Sequence, residues 1–137
     1  MTIANIHTAL AQAFDDADLA LPVVFENTGS YKPTPGTPWC EFFFIPNEPQ
    51  VLTLGENGED EHTGIVQINL NYPLNQGPVP ALQKAGEIRS VFKAGATFTY
   101  QSQSVLIRGA GVSRASQVVN SHYQVILTIN WRSITTR

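Results

Sequence analysis

Charge is what this chain has least of. Only 14% of its 137 residues are Asp, Glu, Lys or Arg, well below the roughly 25% of an average soluble protein. Much of its surface must then be Ser, Thr, Asn, Gln and Gly, which suits a molecule packed against copies of itself or a partner. Cysteine is nearly absent too. The lone Cys40 excludes an internal disulfide framework and a cysteine-based zinc cluster, and it is compatible with a reducing compartment. No apolar run approaches the roughly 20 residues of a membrane helix, and the N-terminus has no basic segment leading into an apolar one, so neither span nor signal peptide is expected. A formal net charge of −3 and a pI near 5.5 argue against a partner held by phosphate contacts. Arg108, Arg114, Arg132 and Arg137 nevertheless make the last third locally basic.

Catalytic signatures are missing as well. There is no Gly-x-Ser-x-Gly elbow, no Gly-Lys-Ser or Gly-Lys-Thr of a phosphate loop, and no Gly-x-Gly-x-x-Gly after a strand. The "RGAGVSR" stretch offers only Gly109-Ala110-Gly111, which reads as a turn between strands. His7, His62 and His122 are scattered, without the close spacing of zinc ligands, and His7 has no ligand partner at i+4. Asp15, Asp16 and Asp18 read as a solvated helix end.

What the sequence does carry is periodicity. A hydrophobic content of 42% over this length fits one domain spanning residues 1–137. Ile3, Ile6, Leu10 and Phe14 mark an amphipathic helix over residues 2–17. "LPVVFEN" reads as a short strand, and "TGSYKPTPGTP", with three prolines and two glycines, as a loop over 28–38. "WCEFFFI" is apolar on both faces, as in a central strand or one covered by a subunit partner. In "TGIVQINLNYP", Val66, Ile68, Leu70 and Tyr72 alternate with Gln67, Asn69 and Asn71, giving one core face and one polar, uncharged face. A second helix is expected from about residue 78, with Leu82, Ala85, Ile88 and Phe92 as its stripe. "ATFTY" and "SVLIRG" are short strands split by a Gln-Ser-Gln-Ser tract, and "HYQVILTINWRS" is the clearest strand of all. Residues 109–121 read either as an extended hairpin arm or as a mobile loop. This order predicts an α+β fold, a mostly antiparallel β-sheet with two α-helices packed on one face.

One stretch resists a bland reading. "LTLGENGEDEHTG" gathers Glu56, Glu59, Asp60, Glu61 and His62 among Gly55, Gly58 and Gly64. It lacks the ligand register of a helix-flanked calcium loop. It reads as an acidic, solvated turn between strands, with a scattered His and carboxylate metal centre as the enzyme alternative.

The order of these features resembles a known family. Pro22 with Glu26-Asn27, the Gly36-Thr37-Pro38-Trp39 entry to a strand, Leu54-Gly55, His62-Thr63-Gly64, Tyr72-Pro73, Gly77, Tyr123-Gln124 and Trp131-Arg132 are together similar to the small tail-terminator-like proteins of long-tailed bacteriophages and prophages. The likeness spans nearly the whole chain. One departure is the acidity just before His62, where the family leans basic. The resemblance implies a structural virion protein of the tail, assembled in the host cytoplasm, with no enzyme activity, cofactor or metal and no membrane association. It implies a ring of copies, a hexamer, on the last ring of the tail tube, ending tube polymerisation and offering a surface to the head-completion proteins. DNA would only pass through the channel. Another head–tail connector, a stopper or tail-completion protein, is the nearest alternative. On this resemblance residues 54–64 become a protruding loop reaching the adjacent subunit or the tube ring, its glycines supplying turns. The candidate interface is Leu54, Gly55, Glu56, Gly58, Glu59, Asp60, Glu61, His62, Gly64, Arg108 and Arg114, with the 109–121 arm as a second contact.

Overall fold

The computed structural model describes residues 3–29, 36–119 and 121–137. Helix α1 (Ile3–Asp16) turns Ile6, Ala9, Leu10, Ala13 and Phe14 inward, the i, i+3, i+4, i+7 pattern of a buried stripe. Thr2, the expected first helical residue, lies outside the described residues. So does most of the proline-rich loop, of which Thr28, Gly29 and Gly36 to Pro38 are described. Strands β1 (Val23–Phe25), β2 (Trp39–Pro46), β3 (Gln50–Val51) and β4 (Glu59–Pro73) precede helix α2 (Val79–Val91). After it come β5 (Thr97–Tyr100), β6 (Gln103–Val119) and β7 (His122–Thr136).

These strands make one sheet in the order β1-β2-β4-β7-β6-β5, with β3 pairing β4 beside that path. Only β1 and β2 run parallel; the other pairs are antiparallel. Both helices pack their buried residues into a single core with one face of this curled sheet, so the α+β arrangement read from the sequence holds. The alternation in the two longest runs sets the register: Phe42 pairs with Ile68 and Ile68 with Leu127, placing three apolar side chains in a row across the core face. Each such side chain, fully buried, contributes about 1.5–3 kcal/mol. The two-faced β2 is central, flanked by β1 and β4.

Two expectations change, and a third, left open between hairpin arm and mobile loop, resolves to the arm. The acidic stretch is not a loop through Gly64: Glu59 to Gly64 already belong to β4 and pair with Thr136 to Trp131 of β7, so only residues 54–58 turn. Distant arginines neutralise two of its carboxylates, which lets so acidic a segment lie in a sheet. In α2 the inward residues are Ala81, Ala85 and Ile88, with Phe92 at the cap, whereas Leu82 stays 41% exposed. Three of the four expected stripe residues face inward, and Ala81 takes the place expected of Leu82. Third, the 109–121 segment runs as strand to Val119, forming with β7 a long hairpin turned near Ser121, whose φ is +64°. Asn120 lies outside the described residues. Gln101 and Ser102, with φ of +46° and +66°, form the turn of the preceding hairpin, so the polar tract already feeds β6 at Gln103.

Candidate assembly surfaces

The β3–β4 turn is built around Arg137. Its backbone N–H donates to Gly58 O at 2.8 Å. Its guanidinium donates to Glu59 O at 3.1 Å, to Gly55 O at 2.6 and 3.2 Å, and also to Thr53 O and the Asp60 carboxylate. One planar cation thus satisfies carbonyls on both sides of the turn. Inside the turn, Gly58 N–H donates to Gly55 O at 3.1 Å and Glu59 N–H to Thr53 Oγ1 at 2.7 Å. The next carboxylate along, Glu61, is ion-paired with Arg132.

The three glycines do different jobs, and only one supplies a turn. Gly55 has φ of +104°, a left-handed conformation that side chains resist. At Gly58 a Cβ would collide with Arg137 Nη2 and Thr53 O, so this glycine makes room for the guanidinium. At Gly64 a Cβ would sit 2.6 Å from Ile45 O and 2.7 Å from Trp131 Cζ2, so β4 crosses there too closely for any side chain.

With Asp60 and Glu61 paired internally, the carboxylates facing outward are Glu56 and Glu59, both exposed and without an ion pair among the described residues. Beside them Leu54 is 91% exposed and Val51 60%. Two apolar side chains and two carboxylates on a braced turn form a compact amphipathic tip.

The other candidates scatter. His62 is half-buried, its Nε2 2.9 Å from Thr135 Oγ1. His7 packs edge-on against Phe44, ring centroids 5.2 Å apart, a boundary histidine in an aromatic setting. Arg108 and Arg114 are exposed on β6, which β7 separates from β4, so the structure does not bring them to the acidic turn. Among the described residues no three of His, Cys, Asp or Glu come together as a metal-holding group. Cys40 is buried, and that desolvation, reinforced by Glu41 and opposed by Lys84, pushes its thiol up to about 12, leaving it protonated and unreactive at neutral pH. Burial likewise raises the Tyr72 phenol, with Glu87 adding to it.

Sequence reasoning missed Arg137 as the brace of the turn and Leu82 as a surface residue. The first left only a weak signal, a terminal arginine, because its partners lie some eighty positions away.

A family model described as phage tail terminator protein matches residues 5–131. Among the solved structures 11 chains match. One of them aligns with a TM-score of 0.77 at 20% identity, covering 97% of this chain and 96% of that one, a likeness of fold alone. No curated protein matches.

Proposed function

This chain belongs to the phage tail terminator protein family, and from that premise we propose that it forms a ring, a hexamer, on the last ring of the tail tube. The ring stops further tube growth and offers its free side to the head-completion proteins. It is a virion component assembled in the host cytoplasm; its partners are its own copies, the major tube protein and the head connector, and DNA only passes through the channel. Its work is assembly, with no bond made or broken.

The observation that carries this reading is the braced amphipathic tip. Leu54 at 91% exposure has no function in the fold of the isolated chain. Arg137 nevertheless holds the turn that presents it in one conformation. A preordered apolar knob flanked by unpaired carboxylates is costly in water and favourable in a protein contact. Any of these carboxylates that faced the channel would repel DNA phosphates.

Leu54→Ala combined with Glu56→Ala and Glu59→Ala tests this, because none of the three closes an ion pair in the fold. The expected result is an intact fold, weakened self-association and abnormally long tails. Tails of normal length together with unchanged association would reject the tip as an assembly element.

A further inference from the structure

We propose that the groove between α2 and β6 is the seat for the β3–β4 turn of a second copy of this chain. The proposal rests on the ring reading above and names the contact that builds it.

The groove consists of two adjoining cavities of about 550 and 310 Å³ that share Gly86, Arg89 and Ala110. One end is basic, lined by Arg89, Lys93 and Arg108. The other is apolar, with Leu82 and Val112 41% and 44% exposed. Arg108 is the extra residue of a β-bulge between Ile107 and Gly109, a device that re-aims a side chain, here into the groove. Arg89 donates from Nε to Ala110 O at 3.0 Å, which fixes its guanidinium across the gap.

The cations are sorted. Lys84, Arg132 and Arg137 are each ion-paired within the chain. Arg89, Lys93 and Arg108 have no ion pair among the described residues, and all three line one cavity. Arg114 on β6 has no ion pair among the described residues either and lies outside this cavity, so in a chain of net charge −3 three of the four described cations without an ion pair gather in one place.

The glycines point the same way. Gly86 sits within α2, where glycine is less favourable than alanine. Neither it nor Gly109 or Gly111 has a positive φ, and a Cβ at any of the three would meet nothing within 4 Å. Neither backbone conformation nor internal packing requires these glycines. Close approach from outside is a reason that remains. The β6 edge beside them is open as well, since β5 pairs with β6 only as far as Leu106.

The tip matches this seat in kind and order. Leu54 supplies an apolar knob for the Leu82 and Val112 end, and Glu56 and Glu59 supply charge for the Arg89, Lys93 and Arg108 end. A bare anion or a nucleic acid backbone would use only the basic end. Because tip and groove are different surfaces, each copy gives one and receives one, the head-to-tail geometry that closes into a ring.

Two sets of variants test the contact, with the full chain studied alone and on tail tubes. Under mild oxidation, Leu54→Cys with Leu82→Cys is expected to give a ladder of covalent oligomers, and Leu54→Cys with Gln12→Cys, on the outer face of α1, is not. Glu56→Arg and Arg89→Glu are each expected to weaken self-association about tenfold, and the double variant to regain most of the loss. Equal ladders from both cysteine pairs, no ladder from the first, or no rescue by the double variant would overturn the proposal. So would loss of DNA or tube-protein binding, with self-association intact, in Arg89→Glu. Rings that form and cap tubes as well in each single reversal as in the parent chain would refute this contact and leave the capping reading standing. A groove-specific ladder from a chain that never caps tubes would do the reverse.

Discussion

Gly64 is the residue on which the junction of turn and sheet depends most visibly. A methyl there would press on Ile45 O, Pro46 Cα and the Trp131 ring, and two of those three neighbours are backbone that cannot swing aside. Trp131 is itself fully buried and stacked on Phe44 at 5.3 Å between centroids. Gly64→Ala is therefore expected to destabilise the fold by about 1–3 kcal/mol, the usual cost of overpacking, read as a lower midpoint in urea unfolding. A midpoint unchanged from the parent chain would show that β4 has slack there. At this scale the sequence was partly informative. The three glycines around the acidic stretch stood out, but apart from Thr53 the residues that crowd Gly58 and Gly64 are Arg137 and residues of β2 and β7, so spacing alone could not separate a turn glycine from a packing glycine.

Among the elements, the β3–β4 hairpin joins fold to function. Its brace is remote, with Arg137 reaching back to Thr53, Gly55 and Asp60. Arg137→Ala is expected to lower global stability by only about 1 kcal/mol, since the side chain is partly exposed. Its larger effect is local: faster hydrogen exchange at the Leu52, Thr53 and Gly58 amides, which close this hairpin. Exchange at those amides indistinguishable from the parent would mean that the turn holds its shape without the arginine. The regular elements were legible wherever a period ran long, as in β4 beyond Gly64, in β7 and in the inward stripe of α1. The first residues of β4 were not, because Glu59, Asp60 and Glu61 in succession read as solvated, and the arginines that answer them stand 71 and 77 positions further on. The exposure of Leu82 was hidden for a related reason. Which flank of a helix faces the sheet is settled by tertiary packing, and Leu82 fits either stripe.

For the whole molecule, the low charge that opened the sequence resolves into a division of surfaces. Among the described residues three ion pairs engage six charged side chains, and what stays unpaired includes an acidic tip and a basic groove. On the contact proposed above, this arrangement would favour regular association with its own kind over adhesion to anything charged. Family membership supplies the setting, a phage tail. The decisive measurement is imaging of purified tail tubes mixed with this chain and further tube protein. Capping requires one ring of the chain at a single end of each tube and no growth beyond it; tubes that lengthen as they do without the chain, or a chain spread along their sides, would rule it out.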